Sequence, residues 1–183
     1  MSGAWPRVIG GQSRSDEVVL ELDPLGLEPI PEDTRQRFLR FQTCADEATL
    51  LPLKDIAAVL QVTIDELLPV PDMATWLLGV CNWRGEMLWL VDVNSLLGKV
   101  PLWHQNPRLE TMMVIVIQAE ERSVGLAVEQ VDDVELIDPD RIVQSEKLGA
   151  AITDPMVAGH LPEHGGIILD ALRLVDHSFR TLS

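Results

Sequence analysis

Asn82-Trp83-Arg84-Gly85 is the stretch of this sequence with most to offer a partner. It lies between two strongly apolar runs, TWLLGVCNW at 75–83 and MLWLVDV at 87–93, so Arg84-Gly85-Glu86 reads as the turn of a hairpin. An Arg in such a turn is placed outside the core and braced by it. Asn82 can satisfy the turn backbone, Gly85 can take a positive φ, and Arg84 can project a planar five-donor fork framed by Trp83. The chemistry on offer is recognition of a carboxylate on another protein, a role in which Arg and Trp are over-represented. The bland alternative is an ordinary hairpin with a solubilising Arg. Trp89 shares a strand face with Met87 and Val91 by the period of two.

The other residues with reactive chemistry do not converge. His160 and His164 flank Pro-Glu in a hairpin turn, without the helix that would set two imidazoles on one face, so they read as loop histidines and no metal is expected. His104 and His177 lie apart from them. Cys44 and Cys81 sit in apolar, strand-like stretches and read as buried free thiols. Glu129, Asp132, Asp133 and Glu135 form an acidic cluster that lacks a calcium loop's central glycine and terminal Glu, and read as a solvated strand edge. Asp65 and Glu66 are placed to favour a helix N-terminus. No glycine-rich phosphate loop and no Gly-x-Ser-x-Gly elbow occurs. The expectation is a protein with no catalytic residues and no cofactor.

Charge narrows the partner class. The 29 acidic residues against 14 Lys and Arg leave a formal charge of -15, which disfavours nucleic acid and anionic membrane as partners. No basic stretch precedes an apolar one at the N-terminus, and no uninterrupted apolar run reaches about 20 residues. The chain is therefore expected to be soluble and cytoplasmic, without membrane insertion.

Three regions must position these residues. Residues 1–36, with four prolines, four glycines and seven acids, read as a flexible acidic leader in which EVVLEL at 17–22 can form a short strand. Residues 37–178 form the body and 179–183 a short tail. Within the body, Phe38 to Leu53 reads as a hairpin turning at Ala45-Asp46-Glu47, and 54–62 fits either a helical turn or a strand. NSLLG suggests one helical turn ending at Gly98, and 99–110 a polar loop. The second half repeats the order: strands at 112–118, 123–128 and 131–137, a helical turn at Asp138-Pro139-Asp140, strands at 156–161 and 167–170, and a short closing helix. Fourteen positions separate Gln42 from Ile56 and thirteen separate Gln118 from Val131; GEMLWLVDV parallels GGIILDAL. An offset of about 75–80 residues indicates two pseudo-repeated lobes. Short strands between turn residues favour small barrels over layers joined by crossover helices.

LLGVCNWRGEMLWLVDVNSLLG at 77–98 resembles the Leu-Gly-Val-x-Asn-x-Arg-Gly-Glu segment of the CheW family, the coupling adaptors of bacterial chemoreceptor arrays. MVIVIQAEERSVGLAVEQVDDVELIDPDRI at 113–142 is similar to that family's strand, hairpin and Val-Gly-Leu-x-Val stretch, and 38–62 resembles it more weakly. The resemblance, over residues 38–176, implies an all-β fold of two intertwined SH3-like five-stranded barrels with short helices. It implies a non-catalytic adaptor that joins methyl-accepting chemoreceptors to a CheA-type histidine kinase and can associate with CheW-like modules, itself included. By the family pattern Arg84 is the exposed Arg of the contact region, with Asn82 and Gly85 shaping its turn; Ile56 is an apolar receptor contact and Asp92 a local structural residue. This chain departs from the pattern at Ala58, where a Glu is common, at Trp89, in the 99–110 loop, and at Asp46-Glu47-Ala48-Thr49 in the first hairpin. The alternative within the same fold is a scaffold in a pilus-motility, phototaxis or gene-control pathway, with residues 129–138 selecting a basic partner.

Overall fold

Alternating apolar segments broken by turn residues become eleven strands among the described residues. The structure is a computed structural model that describes residues 33–43, 48–105, 108–145, 154–163 and 165–182. The possible strand at 17–22, Cys44, the Ala45-Asp46-Glu47 turn and His164 lie outside them. In chain order come β1 (Gln36–Gln42), β2 (Ala48–Pro52), β3 (Ile56–Thr63), β4 (Leu77–Trp83), β5 (Glu86–Asp92), α1 (Val93–Leu96), α2 (Leu102–Gln105), β6 (Thr111–Ala119), β7 (Arg122–Val128), β8 (Gln130–Ile137), β9 (Val143–Gln144), β10 (Val157–Leu161), β11 (Gly166–Leu169) and α3 (Ala171–Leu182).

The strands form a six-stranded sheet, β8-β1-β2-β11-β10-β9, and a five-stranded sheet, β3-β6-β7-β5-β4. Neither is closed by hydrogen bonds between its own edge strands, so these are two open sheets where two intertwined five-stranded barrels are expected from the sequence resemblance. The sixth strand, β9, has two residues, too few for alternation to reveal. The first hairpin of each half is paired into the sheet that carries the rest of the other half. Read as β8-β1-β2-β11-β10 and β3-β6-β7-β5-β4, the sheets have the same run of antiparallel, antiparallel, parallel and antiparallel contacts. Even the register matches: Ile56 faces Ile117 where Val131 faces Phe41, and Val59 faces Ile115 where Val134 faces Leu39.

Burial explains this layering. The faces that the two sheets share carry Leu39, Phe41 and Leu51 from one, and Val91, Ile115, Ile117 and Leu126 from the other, closed by Leu174 and Val175 of α3. The opposite face of the five-stranded sheet packs Val62, Cys81, Leu88, Leu90, Val114 and Val116, while that of the six-stranded sheet packs Phe38, Leu50, Ile137, Leu161 and Ile168. Strands such as β5 and β6 are buried on both sides, which is why they read as continuous apolar runs. The closing helix is longer than expected, twelve residues. Its buried stripe of Ala171, Leu174, Val175 and Ser178 has helical spacing, but an alanine and a serine dilute the apolar signal. The Ser178 hydroxyl donates to the Leu174 carbonyl at 2.8 Å.

Asp92 ties β5 to the two short helices that come after it. Fully buried, its carboxylate accepts from the backbone N–H groups of Asn94 (2.9 Å), Ser95 (3.2 Å) and Leu102 (2.8 Å). It thus caps α1 and pins α2, a helical turn inside the stretch expected as a polar loop, with Leu102 buried in the second core. Asp92→Ala leaves three donors without this acceptor and is expected to cost about 3 kcal/mol, read as a lower midpoint in urea unfolding with an unchanged slope.

Candidate protein-contact site

The β4–β5 hairpin is built to hold a cation outward. Trp83 faces Glu86 across the last pair, leaving Arg84 and Gly85 as a two-residue turn with φ of 55° and 85°. Positive φ at both central positions is the turn whose twist suits a hairpin. Gly85 takes it without strain, whereas Arg84 in the left-handed region costs about 1–2 kcal/mol. Asn82 Oδ1 accepts from the Gly85 N–H at 3.2 Å. The Arg84 guanidinium lies 4.7 Å from the centroid of the Trp83 ring, which is itself half-buried against the second core. The cation therefore rests on a braced aromatic surface.

Among the described residues no carboxylate pairs with Arg84, whereas Arg40, Arg122, Arg141 and Arg173 are paired with Glu135, Asp176, Glu163 and Asp170 respectively. Beside the turn lie the two most exposed large apolar side chains described, Met87 at 68% and Leu68 at 65%. Leu68 bridges to Val80 of β4, and a cavity of about 290 Å³ opens among Leu68, Val80, Asn82, Gly85, Glu86 and Met87. Leu68 is the residue that sequence reasoning missed: its segment, TIDELLPVPDM, reads as turns, yet its prolines leave an extended piece able to pair at an edge. In that segment the Glu66 carboxylate accepts from the Thr63 N–H at 2.9 Å, which pulls its pKa down and caps a 3-10 turn.

Ile56 is not brought to this hairpin. It opens β3, on the opposite edge of the sheet from β4, and packs half-buried against the central core. Burial pushes the neighbouring Asp55 carboxyl up, Lys54 opposes this, and Asp170 adds to it. From Ile56 to Thr63 β3 carries no charged residue, Ala58 included, while Val59 is exposed. Asp132, Asp133 and Glu135 of the acidic cluster lie on β8, the edge of the other sheet, with Glu129 just before it; there Arg40 bonds Glu135 at 2.9 Å and approaches Asp132 at 3.6 Å.

The remaining candidates are structural in placement. His160 is a half-buried residue within β10, not a loop histidine, and its buried Nε2 has no hydrogen-bond partner among the described residues. Cys81 is buried, and burial pushes its thiol pKa up, with Glu66 adding to the effect. Among the described residues no group of three or more His, Cys, Asp or Glu side chains could hold a metal ion. No helix among them is long and apolar enough to cross a membrane.

The fold has a known counterpart. The family model for the CheW-like domain matches residues 37–179. No curated protein matches the chain. Among solved structures, the scaffolding protein TtCheW from Thermoanaerobacter tengcongensis superposes with a TM-score of 0.60 at 19% identity, over 74% of this chain and 87% of that one. The chain belongs to the CheW-like domain family, whose members serve as non-catalytic adaptors in chemotaxis-like signalling.

Proposed function

We propose that this chain couples methyl-accepting chemoreceptors to a CheA-type histidine kinase in the cytoplasm. The observation that carries the reading is the β4–β5 hairpin: Arg84, with no carboxylate partner among the described residues, stacked on a braced Trp83 beside exposed Met87. The adaptor works by holding receptor and kinase at fixed geometry, so that receptor movement shifts the kinase between its active and inactive populations. Trp83 and Ile56 supply apolar contact area. Arg84 supplies register and a charge-assisted bond to a partner carboxylate, while Asn82 and Gly85 hold its turn. Because Ile56 and the hairpin lie on opposite edges of one sheet, they serve different partners, Ile56 the receptor and the hairpin the kinase. In this reading the two sheets form the walls of two intertwined barrel-like lobes, products of an internal repeat within residues 37–178, following a leader at 1–36.

Reconstitution tests it. The chain is expected to form a ternary complex with the cognate receptor's cytoplasmic hairpin and the kinase, read by sedimentation. Ile56→Asp should weaken receptor binding by about tenfold, the range of a lost apolar contact, and leave kinase binding in place. Absence of a wild-type ternary complex would overturn the coupling role. One observation favours a second reading, a scaffold in pilus motility, phototaxis or gene control: the β8 edge alternates Asp133 and Glu135 with exposed Val134 and Leu136, a surface suited to a basic partner. Capture from native lysate of pilus-motor or regulator proteins without a kinase would favour it.

A further inference from the structure

The edge of β4 is occupied only in part. Leu68 and Val80 exchange both main-chain hydrogen bonds, at 2.8 and 2.9 Å, so the N–H and C=O of Val80 point away from β5. The direction of these groups alternates along a strand. Those of Asn82, two residues on, therefore also point outward, and among the described residues no segment pairs with them. The side chains sort by the same alternation. Leu68, Val80, Asn82 and Met87 share one face, while Trp83, with the Arg84 guanidinium over its ring, lies on the other.

A backbone donor and acceptor and a cation, all without a partner among the described residues, thus meet a groove between two exposed apolar side chains at one strand edge. We propose that an extended segment of the kinase adds to β4 at Asn82, setting an apolar side chain between Leu68 and Met87 and, at the adjacent residue, an Asp or Glu on Arg84. Adjacent residues of an added strand point to opposite faces, which is what makes an apolar–acidic pair the matching pattern. Charge complementarity selects the acid, since Arg84 pairs with no carboxylate among the described residues. A helical receptor hairpin offers no free backbone edge, so the kinase is the partner that fits. The assignment rests on the coupling role proposed above.

The test uses the full chain with the purified regulatory domain of the cognate kinase and, separately, the receptor hairpin fragment, by titration calorimetry. Leu68→Asp and Met87→Asp should each raise the kinase Kd by about tenfold or more and leave receptor affinity unchanged. Leu172→Asp, at an exposed apolar residue of α3, should change neither. Amide exchange at Asn82 should slow when the kinase domain binds, a main-chain signature that side-chain contact alone does not give. Groove variants that bind the kinase like wild type, an Asn82 amide that exchanges unchanged, or a loss confined to the receptor would each overturn the proposal. Wild-type protein that binds neither partner would overturn the coupling role itself, a distinct result.

Discussion

Arg84→Glu should weaken kinase binding by about 30-fold or more while the protein stays folded. The side chain is exposed and pairs with no carboxylate among the described residues, so its loss removes little from the fold beyond its stacking on Trp83, about 0.5–1 kcal/mol. At the contact, reversal sets one carboxylate against another, and truncating or reversing a desolvated charge pair costs about 2 kcal/mol or more. Arg84→Asn gives the sharper reading. Asn tolerates the left-handed φ of 55° better than Arg, so this variant should unfold at slightly higher denaturant than wild type, yet it lacks the guanidinium and should bind poorly. Stability that rises while binding falls would mark Arg84 as a residue kept in a strained conformation for contact. Calorimetric binding beside urea unfolding reads both quantities. A normal ternary complex formed by Arg84→Glu would remove Arg84 from the contact.

How much of this could be read from the residues depends on how local each feature is. The hairpin at 77–92 is determined by its own sequence: two apolar runs, Arg-Gly between them, and an Asn three residues before Gly85. The Asp at its end likewise caps α1, though nothing local announces that its second oxygen reaches Leu102, ten residues on. Sheet membership is different. That β1 and β2 pair with β8 and β11, while β6 and β7 pair with β3 and β5, follows from burying three cores at once, and no stretch of sequence carries it. The 54–62 segment fits two patterns because the 3-10 turn Leu53–Asp55 runs directly into a strand whose two faces are both partly covered. Separation of Ile56 from Arg84 is likewise a property of strand order. The groove beside Arg84 escapes notice because half of it comes from Leu68, twelve residues before Val80 and within a proline-containing stretch whose pairing is tertiary.

The Leu-Gly-Val step of that hairpin leads to the largest expected loss of stability. Gly79 sits at a register irregularity between β4 and β5 with φ of 139°, a region that L side chains rarely adopt. A Cβ at this position would lie 2.3 Å from the Leu68 carbonyl oxygen, 2.9 Å from its carbon and 3.1 Å from Pro69 Cα. All three are backbone atoms, so no rotamer change relieves the clash. Gly79→Ala must either distort β4 or push the Leu68 segment off its edge, breaking both hydrogen bonds of the Leu68–Val80 bridge. Strain and overpacking together are expected to cost about 3 kcal/mol or more, a fall in Tm of about 6–12 °C for a chain of this size. Gly85→Ala is the matched comparison: its φ of 85° is also positive, but nothing lies within 4 Å of the added carbon, so only backbone strain, about 1–2 kcal/mol, should remain. Displacing Leu68 also removes one wall of the groove, so Gly79→Ala protein held below its Tm should bind the kinase domain as weakly as Leu68→Asp. Equal melting of Gly79→Ala and Gly85→Ala would show that close backbone approach is not what requires glycine at position 79. Equal melting with wild type would remove the Leu68 bridge as a source of stability altogether.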